Sequence, residues 1–116
     1  MNVELLRKIK DKILEQPEGF QMEGWHCGTA HCIAGWAQIL SGYKESSFFC
    51  EFDATEALGL PQSGPRHDII LARDRLFHDV HWPEQFKEPC LTAGQYAKQA
   101  AKRIEFFIQT NGTDRE

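Results

Sequence analysis

Twelve residues, Trp25 to Trp36 (WHCGTAHCIAGW), carry two of the chain's four cysteines, two of its five histidines and two of its three tryptophans. Thiols and imidazoles this close can do three kinds of chemistry. A cysteine beside an imidazole base is a nucleophile, two cysteines form a redox pair, and cysteines with histidines bind metal. If Thr29 caps the helix that follows, Cys32 falls in its first turn, where unpaired backbone N–H groups and the helix dipole favour a thiolate. Apolar surroundings from Trp25 and Trp36 act the other way and raise a thiol pKa. Free cysteine is also among the most buried residue types, and packing is the primary reading: Cys27 and Cys32 reduced, buried and seating the start of the helix. His26 and His31 sit at polar-looking positions and read as solvated or turn-capping.

The alternatives place demands on the rest of the chain. Zinc held by Cys27 and Cys32 would draw further ligands from His26, His31, His78 or His81. Structural zinc usually presents two pairs of ligands, each closely spaced, and only the first pair fits. A disulfide between Cys27 and Cys32 lacks the two-residue spacing and βαβ surroundings of thioredoxin-like sites. The reading therefore assigns no metal and no cofactor, and the candidate binding cluster is Trp25, His26, Cys27, His31 and Cys32.

Gln21-Met22-Glu23, Cys27-Gly28, Cys32 and an apolar helix ending at Ser41-Gly42-Tyr43 resemble the nucleophile segment of the bacteriocin-processing cysteine peptidases, relatives of papain. That resemblance implies Cys27 as nucleophile and Gln21, six residues earlier, as an oxyanion-hole donor. His78 or His81 would be the base. The family places its histidine before a hydrophobic strand, whereas here Asp79-Val80-His81-Trp82-Pro83 leads into a loop and a helix. A second set of residues, Trp25, Cys27-Gly28-Thr29, Cys32, Ala34-Gly35-Trp36, Ala57-Leu58-Gly59-Leu60, Leu76-Phe77 and Trp82-Pro83 with a terminal helix, is similar to a family of small uncharacterised bacterial and phage proteins. This resemblance covers residues 3–108. It implies a helical domain and no particular activity.

The elements that must position the cluster follow from periodicity and capping. Leu5, Leu6, Ile9 and Ile13 behind Asn2 predict a first helix that Pro17 ends. Residues 18–24 read as a loop. Thr29 as N-cap, with Ile33, Trp36, Ala37 and Leu40 on one face and Gly42 as terminator, predicts a second helix. Gly35 inside it costs about 1 kcal/mol relative to alanine unless backbone packs close by. Residues 43–52 are ambiguous between strand and loop. Asp53 and Glu56 form an aspartate capping box for a short helix closed by Gly59 and Pro61. Residues 62–65 read as a turn; Ile69, Ile70, Arg73, Leu76 and Phe77 predict a fourth helix. His78 to Pro89 is a loop anchored by Trp82 and Phe86. Thr92 with Gln95 is a capping box, Leu91 with Tyr96 a hydrophobic staple, and residues 92–109 a long last helix. Asn111-Gly112-Thr113 reads as its exit.

A chain of 116 residues is one domain by length and buries roughly two-thirds of its unfolded surface. With 17 acidic and 13 basic residues the formal charge is −4, the wrong sign for general binding to a phosphate backbone. Charges interrupt the first apolar stretch, which excludes a signal peptide or membrane span there. The expectation is an all-α, single-domain bundle of four to five helices, residues 1–116. The sequence assigns no biochemical role; a cytoplasmic binding or accessory module is expected, with no partner identified and a protein as one candidate. A cysteine hydrolase and a zinc protein are the alternatives.

Overall fold

A computed structural model describes residues 1–62 and 71–115. The fold is all-α, with five α-helices and one hairpin of two-residue strands among the described residues. α1 (Val3–Glu15) starts where Asn2 Oδ1 accepts the Leu5 N–H at 3.0 Å, and it buries Leu5, Leu6, Ile9 and Ile13. That stripe packs on α5 (Ala93–Gln109) and α2 (Ile33–Leu40), and α2 in turn packs on α3 (Cys50–Leu58). α5 is the longest helix among the described residues, and both halves of its capping box form: Gln95 N–H to Thr92 Oγ1 at 3.1 Å and Thr92 N–H to Gln95 Oε1 at 3.3 Å. The expected staple does not. Leu91 is exposed, while Tyr96 stacks on Phe20 at 5.3 Å. The helix leaves through Asn111 and Gly112, both left-handed, as the triplet predicts.

The start of α2 differs from expectation. Gly28 (φ +62°) and Thr29 are the two turn residues of a hairpin between β1 (His26–Cys27) and β2 (Ala30–His31), so Thr29 is not the cap. A glycine with positive φ at the first turn position is what a two-residue hairpin turn of this kind needs. The N-cap is Cys32, whose sulfur accepts the Gly35 N–H at 3.3 Å in the manner of a serine hydroxyl. Ile33, Trp36 and Ala37 of the predicted face are buried, but Leu40 at the last helical position is 36% exposed and leaves it. Leu76, Phe77, Ile104 and Phe107 share the core with Ile33 and Trp36.

Residues 43–49 form a loop, and α3 begins at Cys50, three residues before Asp53. The Asp53–Glu56 capping box is absent because the Asp53 carboxylate accepts from the Gln38 amide at 2.9 Å. Gly59 (φ +68°) closes this helix as expected. α4 spans Ala72–Phe77; Ile69, Ile70 and most of the predicted 62–65 turn lie outside the described residues. Two 3₁₀ turns, Asp79–His81 and Glu84–Phe86, follow, with Trp82 and Phe86 buried. No described helix is long and apolar enough to cross a membrane.

Gly35 shows what the hairpin requires of α2. A Cβ there would collide with the Trp25 carbonyl oxygen and crowd the His31 Cβ at 3.1 Å and the His26 ring at 3.2 Å. Alanine adds about 1 kcal/mol of helix propensity, yet overpacking against backbone that cannot rotate away costs up to about 3 kcal/mol. Gly35→Ala is therefore expected to destabilise the protein by about 2 kcal/mol. A raised melting temperature would show that the hairpin does not rest on the helix.

Candidate functional site

The sequence cluster divides into two faces. On one, the hairpin lays its histidines over α2. His26 Nδ1 and His31 Nδ1 are 2.7 Å apart, His26 Nε2 is 2.7 Å from Gln38 Oε1, and the Ser46 N–H reaches the same oxygen at 3.0 Å. Because Gln38 Oε1 accepts from Ser46 and its Nε2 donates to Asp53, His26 Nε2 must donate. Neutral His26 then accepts at Nδ1 and His31 donates. The result is one directed chain, His31 to His26 to Gln38 to Asp53. Gln38 is fully buried and His31 is 6% exposed. The histidines expected to be solvated are instead structural partners.

This network predicts a pH dependence. Burial, followed by the charge of His26, lowers the His31 pKa below 6.5, and Glu45 only partly opposes this. A depressed folded-state pKa means the unfolded chain takes up the proton first. His31 therefore contributes full stability above about pH 6.5, and that contribution is lost as pH falls toward the depressed value. His31→Gln keeps a donor and removes the titration. It should flatten the loss of stability between pH 6.5 and 5, a slope of at most about 1.4 kcal/mol per pH unit for one proton. Equal slopes in both proteins would refute the assignment.

On the other face, a cleft of about 210 Å³ opens beside the N-terminus of α2, lined by Met22, Glu23, Gly24, Trp25, Cys32, Phe77 and His78. Trp25 meets the His78 ring edge-on at 5.5 Å, and His78 Nε2 lies 3.6 Å from Glu51 Oε2. Cys32 is 2% exposed, and Cys50, at the start of the helix that packs on α2, is wholly buried. The Cys50 thiol and the backbone N–H groups of α2 lower the Cys32 pKa against the effect of burial. The Cys50 pKa is raised, first by Cys32 and then by burial.

Cys27 is exposed on the hairpin, contrary to the expectation of burial, and its sulfur makes no hydrogen bond among the described residues. The peptidase geometry is not assembled around it. The Gln21 amide is committed to its own turn, donating to Gly24 O at 2.7 Å and accepting from Glu23 N at 2.6 Å and Gly24 N at 3.0 Å. His81 is exposed, and His78 faces the cleft that Cys32 lines. The Cys32 N–H, the donor an oxyanion would need beside that thiol, is bound to Trp25 O at 3.3 Å.

Two groups of metal-type donors come within 4.8 Å of one another among the described residues, and neither contains a cysteine. In His26, His31 and Glu45 the facing imidazole nitrogens already bond each other. In Glu51, Asp74 and His78 the Arg73 guanidinium lies 3.6 Å from Glu51 and 3.7 Å from Asp74, filling the cation position. The Cys27–Cys32 zinc grouping is not brought together.

Sequence reasoning found Trp25, Cys32 and His78 but missed Gln38, whose place beneath the hairpin, 12 residues from His26, carries no local signal. No protein-family model, curated protein or solved structure matches this chain.

Proposed function

We propose that this chain is a binding module whose recognition site is the cleft beside Trp25. The observation that carries the reading is convergence: Trp25 and Cys32 from the chemistry-rich segment meet Phe77 and His78 from α4 and its exit around one concavity. Apolar walls with a few polar groups are the usual make-up of a ligand site. The volume narrows the occupant. Small-molecule pockets usually measure about 300–1,000 Å³, so 210 Å³ suits a single aromatic or branched side chain presented by a protein partner. Buried anchors of that kind dominate many protein interfaces.

The test is a titration of isotope-labelled protein with indole and with phenol as stand-ins for such an anchor. Saturable shifts should be confined to residues 22–25, Cys32 and residues 77–78, and Trp25→Ala should abolish them. Shifts spread over the surface, or none at all, would reject the cleft as a recognition site.

A further inference from the structure

The turn at Gly28 and Thr29 makes His26 and His31 direct cross-strand partners, so both imidazoles stand on one face of the hairpin. Their Nδ1 atoms face one another across 2.7 Å with one proton between them. The Glu45 carboxylate, from the loop after α2, joins them: one donor atom from each of the three residues lies within 4.8 Å of the other two. Two of these residues are held from behind. Gln38, fully buried, accepts from His26 Nε2 at 2.7 Å, which fixes a proton on that nitrogen and leaves the Nδ1 lone pair directed at His31. The same Gln38 oxygen accepts the Ser46 N–H at 3.0 Å, which anchors the backbone next to Glu45. Glu45 makes no ion pair among the described residues, whereas Arg73 lies against both Glu51 and Asp74 in the other group of metal-type donors.

From this arrangement we infer that His26, His31 and Glu45 bind a divalent transition-metal ion of the zinc type, and that the proton-bridged histidine pair is the metal-free form of the site. Two imidazoles and one carboxylate are a ligand set that zinc takes with its fourth position left to water. A ligating histidine almost always gives its other ring N–H to a fixed acceptor, as His26 does to Gln38. Zinc–nitrogen bonds of about 2.0–2.1 Å in a tetrahedral site place two ligand nitrogens about 3.3 Å apart, so the rings need part by only about 0.6 Å. His31 ligates through Nδ1 once its proton has moved to Nε2, and a neutral pair therefore takes up the ion without net proton release. Magnesium and calcium, which select oxygen donors, are disfavoured by the imidazoles. The pH dependence expected for His31 belongs to the metal-free chain. This site lies on the other face from the cleft beside Trp25, and it stands or falls separately from recognition there.

The experiment is a calorimetric titration of the full chain, stripped with EDTA, with zinc chloride. One zinc ion per chain is expected, and magnesium chloride should give no binding heat. Long-range proton–nitrogen spectra should show the Nδ1 signals of His26 and His31 moving on binding while His26 Nε2 keeps its proton. His31→Gln should remove the site. Glu45→Gln, at an exposed loop position, keeps the test open if a hairpin variant fails to fold; it should weaken binding by at least about tenfold, the smallest loss caused by removing even an outer partner of a ligand. Two further double variants, Cys27→Ser with Cys90→Ser and His78→Gln with His81→Gln, alter thiols and imidazoles elsewhere, and both must still bind one ion. Absence of saturable zinc binding, binding that Glu45→Gln leaves unchanged, or binding lost with the cysteines or with His78 and His81 would overturn the proposal.

Discussion

Asp114→Ala should lower the unfolding free energy by about 3–5 kcal/mol, the cost of breaking a buried ion pair by removing one partner. Asp114 binds the Arg103 guanidinium through both oxygens, at 2.6 and 2.8 Å, and Arg75 at 2.7 Å. The Arg103 side chain is wholly buried in α5 and that of Asp114 is 9% exposed. Burial pushes the Arg103 pKa below its ordinary value, and Asp114 pushes it back. Arg75 also donates to Gly112 O at 2.8 Å, and Arg103 to Arg75 O at 3.1 Å, so one carboxylate clamps the segment after α5 onto α4. With that carboxylate gone, a guanidinium remains in the core without a counter-charge. The double variant Arg103→Met/Asp114→Ala should recover part of the loss, because an apolar side chain of similar length leaves no charge to solvate. Urea unfolding measures both. An unchanged midpoint for Asp114→Ala would mean the tail does not dock.

Trp36→Ala is expected to cost about 3–5 kcal/mol and lower the melting temperature by roughly 10–20 °C. Trp36 is 6% exposed and joins three separate segments. Its indole N–H donates to Gly19 O at 3.0 Å, its ring meets His31 edge-on at 4.8 Å, and Lys12 of α1 lies over it at 5.5 Å. The alanine variant loses apolar burial and also leaves the Gly19 carbonyl without its partner. Trp36→Phe should lose less, since it refills much of the space and forfeits chiefly the hydrogen bond. If both variants melt with the parent protein, the 3₁₀ turn at Pro17–Gly19 and the hairpin are not held by this ring.

What could be read from the sequence follows the range of each interaction. α5 was legible because Thr92, Gln95 and the spacing of its alanines, Ile104 and Phe107 act within one or two turns. The Asn2 cap, the Gly59 stop and the burial of Trp36 are equally local. The start of α2 was misread because threonine outranks cysteine as an N-cap and a hairpin with two residues per strand is too short to show alternation. Asp53 has the right spacing for a capping box, but its carboxylate is committed to Gln38, 15 residues away. Arginine is rarely found fully buried, and Arg103 becomes intelligible only once Asp114 is beside it. The site divides in the same way. Trp25, Cys32 and His78 stood out by residue type, whereas the role of Gln38 depends on how the hairpin meets α2. Cys27 was expected to be buried because tryptophans flank the segment, but the turn at Gly28 carries it outward.

The hydrogen-bonded chain from His31 through His26 and Gln38 to Asp53 bears on how the molecule opens. A hairpin of two strands is marginal by itself, and its amides would ordinarily exchange with solvent quickly. Here the Cys32 N–H is held by Trp25 O and the Gln21 N–H by His31 O, while His26 is tied to Gln38 of α2, which Ser46 and Asp53 of α3 hold in place. Lifting the hairpin therefore exposes a buried amide that is itself bonded to two other segments. The Gln21 and Cys32 amides should exchange deuterium at the rate of those in the middle of α2, so the 21–53 stretch opens as one cooperative unit. The weakest element of secondary structure thereby acquires the protection of the core beneath it.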